Sequence, residues 1–264
     1  MFLTTLRGLY ALDAETGQVV WSNGGVKGFS SPTAIDGTIV VGGSDGRLYR
    51  LNATDGSERW NVSLVGSTSL FSGIKSSPKV AFDTVYVGTF NETGGPGEVV
   101  ALWVSNGTIA WRHTTGSIHF SSPAVANGTV YVGVMGRYNT TTQITFDPVY
   151  GVLALDAATG GEVWFFETGG PVAASPAIAG SIVLAPSNDG FLYAIDRNEG
   201  DQVWRANVGS SVSSPAVHGD TVFVASGSFD GLRDVQALDI ANGQLRWTFT
   251  PNGPVQASIT YADG

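Results

Sequence analysis

Cysteine is absent from the 264 residues, which excludes disulfides and thiolate metal sites. Lysine is reduced to Lys27, Lys75 and Lys79, and charged side chains make up only 13% of the chain. The balance is acidic, with a net charge of −9, so phosphate backbones are repelled and nucleic acid is disfavoured as a partner. No apolar run approaches the roughly 18 residues of a membrane-spanning helix. The three histidines, His113, His119 and His218, lack metal-ligand spacing. No strand-turn-helix elbow presents a serine nucleophile. Asp230 and Asp234 share a segment but fall short of the oxygen set a calcium loop requires. The opening Met1-Phe2-Leu3-Thr4 has neither a basic start nor a cleavage site, so these residues are not read as a signal peptide.

What is present is a repeat. Six times a strand-like run ends in Asp or a substitute, with Gly four residues on and Trp four further: Asp13-Gly17-Trp21, Asn52-Gly56-Trp60, Trp103-Gly107-Trp111, Asp156-Gly160-Trp164, Asp196-Gly200-Trp204 and Asp239-Gly243-Trp247. Six of the seven tryptophans are used this way. A recurring period means units that bury their apolar faces only by stacking on neighbours. The residue types have structural reasons. Asp accepts backbone N–H bonds of the following turn, Gly suits a left-handed position, and Trp offers a large surface to bury.

Each unit reads as four short strands. The first follows Ser-Pro, as at Ser31-Pro32, Ser77-Pro78, Ser122-Pro123, Ser175-Pro176 and Ser214-Pro215, where proline sacrifices no ladder bond. Tight turns such as Asp36-Gly37 and Asn127-Gly128 lead into β-branched second strands, a hairpin signal. Four-stranded antiparallel units about 40 residues apart predict an all-β fold, the β-propeller, and the whole chain, 1–264, is read as a single propeller domain. Trp103 cannot accept the turn bond that Asp and Asn can, so its turn is expected to be looser.

The runs Ala11-Leu12-Asp13-Ala14-Glu15-Thr16-Gly17-Gln18-Val19-Val20-Trp21 and Ala154-Leu155-Asp156-Ala157-Ala158-Thr159-Gly160-Gly161-Glu162-Val163-Trp164 resemble the tryptophan-docking repeat of the pyrroloquinoline-quinone (PQQ)-like β-propeller family. That family includes quinoprotein dehydrogenases, a propeller lipoprotein of the barrel-assembly machinery, and secreted or sensor domains. For the dehydrogenases the resemblance implies PQQ and calcium as cofactors and a vicinal cysteine pair. Without cysteine that pair is impossible, and the residues themselves call for no cofactor.

The N-terminus aligns with a second strand and 256–264 with a first strand and turn, so the two ends are expected to complete a sixth blade. A segment of an eight-bladed ring is the alternative. Connections 61–76, 88–98, 133–151 and 225–234 are long and leave one end of the strands. Variable connections on a rigid scaffold are where binding usually resides. The position two residues ahead of each Ser-Pro motif's serine forms a ring of Phe29, Lys75, Phe120, Ala173, Val212 and Gln256. Candidate binding residues are Phe29, Lys75, His119, Phe120, Arg137, Tyr138 and Arg233, although Phe29 and Phe120 equally suit a plug.

Six sequons, at Asn52, Asn61, Asn91, Asn106, Asn127 and Asn139, exceed the about two that chance supplies and point to a secreted glycoprotein, while Asn-Gly-Thr is also ordinary turn sequence. The expected function is that of a non-catalytic extracytoplasmic scaffold binding a protein, peptide or glycan partner. A fragment of a PQQ-dependent dehydrogenase and the sensor domain of a membrane receptor or kinase are the alternatives.

Overall fold

The computed structural model describes all residues but 67–72, 92–94, 140–143, 228–233, 254, 256 and 262–264, and no side chains within 137–148. Its 23 strands form six antiparallel sheets, the blades of a β-propeller. The first holds β1 (Phe2–Thr5), β2 (Gly8–Leu12) and β3 (Val19–Asn23), and the second β4 (Thr33–Ile35), β5 (Thr38–Gly42), β6 (Arg47–Asn52) and β7 (Glu58–Ser63). The third holds β8 (Lys79–Ala81), β9 (Thr84–Gly88), β10 (Gly97–Trp103) and β11 (Ile109–Thr115). The fourth runs β12 (Ala124–Ala126), β13 (Thr129–Asn139), β14 (Ile144–Asp156) and β15 (Glu162–Glu167). The fifth runs β16 (Ala177–Ala179), β17 (Ile182–Pro186), β18 (Phe191–Asp196) and β19 (Gln202–Asn207), and the sixth β20 (Ala216–His218), β21 (Thr221–Ala225), β22 (Val235–Asp239) and β23 (Leu245–Phe249).

The chain divides into two compact units, Met1–Pro123 with Gly136–Asp147, and Ala124–Met135 with Pro148–Gly264. In the first unit, Ile39, Val41 and Leu51 pack with Leu9 and Val26, while Val40, Leu48, Val85, Val87 and Val100 form the next core layer. In the second, Tyr131, Val152, Val183 and Ile195 make one layer, and Leu184, Leu192, Val222 and Leu238 another. Central strands such as β5 and β9 are buried on both faces, which explains their uninterrupted β-branched sequence.

The repeat signature resolves into one contact made between successive blades. The indole N–H of Trp21, Trp60, Trp164 and Trp204 donates to the carbonyls of Ala53, Val104, Arg197 and Ile240, at 2.9–3.0 Å. Each acceptor directly follows the residue that ends the third strand of the next blade. The glycine of that next blade lies beneath the same ring. A methyl group on Gly56, Gly107, Gly200 or Gly243 would come within 2.6–2.8 Å of the indole, and their φ values of +70° to +79° already exclude most side chains. Gly17 shares the conformation but has nothing within 4 Å of its added carbon. Trp247 is 47% exposed, against 8% for Trp111, Trp164 and Trp204.

Two features escape the periodic pattern. In all six blades the pairing of third and fourth strands shifts register at one place, opposite the residue that precedes the tryptophan: Val20, Arg59, Ala110, Val163, Val203 or Arg246. Such a bulge increases local twist and re-aims the side chain that follows. Serines ahead of the first strands also link blades. Ser31 N–H donates to Ser77 Oγ, Ser77 N–H to Ser122 Oγ and Ser175 N–H to Ser214 Oγ, at 2.9–3.0 Å.

Three expectations are corrected. The Trp103 turn is as tight as the others, because Gly107 N–H still donates to the Trp103 carbonyl at 2.9 Å and Asn106 Oδ1 takes the Thr108 N–H. Much of the 133–151 connection is strand, since β13 continues to Asn139 and β14 begins at Ile144. The first sheet has three strands. Ala257–Tyr261, expected to supply a strand, lies outside regular strand and packs on the sixth sheet, with Ser213 Oγ donating to the Ala257 carbonyl and Tyr261 stacked on His218 at 3.9 Å.

The third blade departs from the repeat at two turn positions on the same end. Its first turn is Phe82-Asp83, with φ +52° and +57°, where the second and fourth blades carry Asp36-Gly37 and Asn127-Gly128. Left-handed backbone costs about 1–2 kcal/mol per ordinary residue, and the Phe82 side chain is 63% exposed, so packing returns little. The replacement of Phe82-Asp83 by Asn-Gly is expected to stabilise the protein by about 1–2 kcal/mol in urea unfolding; unchanged or lower stability would show that Phe82 packing outweighs the strain. Trp204→Ala, which removes an indole buried over Gly243, is expected to cost about 3–5 kcal/mol. Trp247→Ala in the same titration should cost well under half of that.

Candidate functional site

Within the first unit the residues ahead of the Ser-Pro motifs converge. Each lies in the sequence x-Ser-Ser-Pro, and the first serine of that motif is buried at Ser30, Ser76 and Ser121. Ser30 Oγ accepts the Gly42 N–H at 3.0 Å and Ser76 Oγ the Gly88 N–H at 3.1 Å. These bonds anchor the chain where it enters the first strand, so Phe29, Lys75 and Phe120 approach one another.

Lys75 is the centre. Its ammonium lies 2.5 Å from His119 Nε2 and 5.7, 4.9 and 5.2 Å from the ring centroids of Phe29, Phe90 and Phe120. Cations are held over aromatic faces at such distances by the ring quadrupole. His119 lies between Phe90 and Phe120, with centroid separations of 4.4 and 4.1 Å and rings tilted by 41° and 44°. Lys75 is only 6% exposed, whereas Phe29 and Phe120 are 41% and 45% exposed. The result is a buried cation under a partly open aromatic rim.

Burial, and then the charge of Lys75, push the His119 imidazole down to about 3 from its ordinary 6.5. His119 is therefore neutral at physiological pH and accepts from the ammonium. Its folded pKa lies below the unfolded one, so the unfolded chain binds the proton more readily in between. Stability from the neutral ring is complete above pH 6.5 and is lost as pH falls toward about 3. Thermal melts should show a steeper fall across that window for the native chain than for His119→Phe; parallel curves would contradict the assignment.

Of the residues singled out from sequence, Phe29, Lys75, His119 and Phe120 come together. Arg137 and Tyr138 belong to β13 but their side chains, like Arg233 and Gln256, lie outside the described residues. Ala173 and Val212, in the second unit, are buried and half-buried. Sequence reasoning missed Phe90, fully buried and bridged to Gly73. An aromatic residue just beyond a second strand was the one available signal.

Sequence reasoning also missed a turn device in the second and fifth blades. In Asp45-Gly46-Arg47-Leu48-Tyr49 and Asp189-Gly190-Phe191-Leu192-Tyr193 the aspartate accepts a backbone N–H two residues on and the tyrosine hydroxyl. Burial and that hydrogen bond raise both tyrosine pKa values, so each phenol stays a donor.

The sequon asparagines have turn roles. Asn52 and Asn106 accept backbone N–H bonds from Thr54 and Thr108, and Asn127 occupies φ +49°. Among the described residues no three histidine or acidic side chains gather to hold a metal, and the Lys75 ammonium is flanked by three phenyl rings.

Stacked four-stranded blades joined through a tryptophan, a glycine and a carbonyl define the chain as a PQQ-like β-propeller. The chain matches the family described as outer membrane protein assembly factor BamB over residues 2–143 and 150–263, and it belongs to that family. It is 27% identical over 259 residues to the assembly factor BamB of Yersinia pestis, covering 93% of this chain and 57% of that relative. The crystal structure of BamB from Moraxella catarrhalis superposes with a TM-score of 0.68 at 22% identity, over 94% of this chain and 72% of that one. The quinohemoprotein alcohol dehydrogenase of Comamonas testosteroni shares the fold, with a TM-score of 0.69 at 14% identity, over 98% and 66% of the two chains.

Proposed function

We propose that this chain is one propeller domain of a non-catalytic extracytoplasmic scaffold that binds a protein partner through the strand ends carrying its long connections. Membership of the assembly-factor family supports a scaffold rather than an enzyme. The observation that carries the choice of face is the Lys75 cluster, a buried ammonium rimmed by half-exposed Phe29 and Phe120. Aromatic anchors around a desolvated charge are what interface hot spots are made of. A peptide strand is a suitable partner segment for such a rim. The sequons belong to the same extracytoplasmic reading, and among the described residues Asn106 and Asn127, both exposed at their turns, are the positions most open to glycosylation.

The test is photo-crosslinking. A photoreactive phenylalanine analogue at Phe120 should form a discrete adduct with a partner protein in cells, and Lys75→Met with Phe29→Ala should weaken capture of that partner by about tenfold or more. Adducts only from the opposite end of the strands, with the analogue placed at Phe82 or Trp103, and none from Phe120, would reject this face. PQQ with calcium is expected to leave the melting temperature unchanged, whereas a rise would favour the dehydrogenase reading.

A further inference from the structure

A cleft of about 460 Å³ opens in the first unit, away from the Lys75 cluster, between β3 and the outer strands of the second blade. Its walls are Asn23, Gly25, Arg47, Glu58 and Asn61, and its floor is Val26 and Tyr49. The floor is rigid, because Tyr49 donates to Asp45 at 2.5 Å and Val26 is buried. Across the walls runs a hydrogen-bonded relay. Arg47 Nη1 donates to Asn61 Oδ1 at 2.5 Å, and Asn61 Nδ2 donates to Glu58 Oε1 at 2.6 Å.

Register shows what is particular to this blade. Asn61 pairs with Tyr49, Arg112 with Val100 and Arg205 with Tyr193, so the three occupy one repeat position. In the third blade Arg112 there closes an ion pair with Glu98. In the fifth, Arg205 lies 4.5 Å above the Phe191 ring. Both arrangements occupy the arginine, and Arg112 also donates to the Leu64 carbonyl just past the second blade. The second blade instead has an amide at that position and moves the arginine to 47. The amide spends one guanidinium N–H and one carboxylate oxygen, and leaves the rest of both groups facing the cleft beside Asn23.

We infer that this cleft is a binding site for a neutral saccharide. The guanidinium and the carboxylate are bonded to the two ends of one amide and both line the cleft, and a hydroxyl both donates and accepts, so neighbouring sugar hydroxyls can satisfy their remaining donors and oxygen together. Opposite charges across the walls, with the Asp45 carboxylate behind the floor, disfavour a free anion. The volume falls in the range of small-ligand sites and suits one or two sugar rings.

The experiment is amide NMR of the whole chain titrated with methyl glucoside, N-acetylglucosamine and maltose, with acetate and choline as charged probes. Saturable shifts at Asn23, Arg47, Glu58 and Asn61 with at least one sugar are expected, at an affinity on the order of 1 mM, little changed by added salt. Glu58→Ala should weaken binding by about tenfold and Glu58→Gln, which keeps an acceptor, by less. Both are surface changes, and unchanged melting temperatures would show that the fold is intact. No saturable shift with any sugar, equal response to acetate or choline, or sugar shifts confined to Phe29 and Phe120 would each overturn the proposal. None of these outcomes bears on the crosslinking at Phe120.

Discussion

The structure depends on one contact, an indole laid over the glycine of the next blade while its N–H reaches the carbonyl that opens that blade's third-to-fourth strand turn. It satisfies three requirements together. Apolar ring surface leaves water, the single polar atom of the ring finds an acceptor as buried tryptophans require, and the left-handed glycine needs no side chain. The acceptor residue is itself held: its N–H donates to the hairpin turn of its own blade, as Ala53 does to Gly37, Val104 to Asp83 and Ile240 to Asp220. Each contact thus ties the outer strand of one blade to two turns of the next. Stability in such stacks is a sum over neighbours, as in other repeat proteins.

The rest of each blade is free to differ because that contact is fixed at one end. At the other end, connections range from the four-residue Asp45 and Asp189 turns to the long β13–β14 hairpin. The Lys75 cluster lies at that second end, and the cleft runs from it at Arg47 along β7 to Glu58, where that strand begins. They differ in kind. The Lys75 cluster is an apolar box around one charge, and the Arg47–Asn61–Glu58 relay is a polar surface over a buried phenol.

Blade number, strand order and the roles of glycine and tryptophan were legible in the sequence, since a backbone with φ near +70° and a ring needing a flat floor leave few residue choices. The convergence of Phe29, Lys75 and Phe120 was legible too, because each sits two residues ahead of a Ser-Pro serine, with His119 one residue before Phe120. Phe90 was not, as its place is set by a connection that no other blade shares. The bulge left no trace because its residue faces outward and can be Val, Ala or Arg. The serine bonds were hidden behind the proline, whose constraint explains the motif without them. Trp103 misled for a physical reason: backbone bonds hold that turn without the side-chain acceptor, and Asn106 takes the Thr108 N–H just as Asp55 and Asn242 take those of Ser57 and Gln244.

The bulge ahead of every tryptophan also divides the chain into stretches with opposite tolerance for changes of length. Side chains alternate faces along a strand, so loss of one residue between the glycine and the tryptophan would either erase the bulge or turn the indole away from its floor. Insertions and deletions are therefore barred from the short arc between those two residues in every blade, while the connections at the far end can lengthen without disturbing the stack. A lineage carrying this fold would be expected to record its history of gained and lost residues at one end of the blades only, with the other end acting as a fixed ruler.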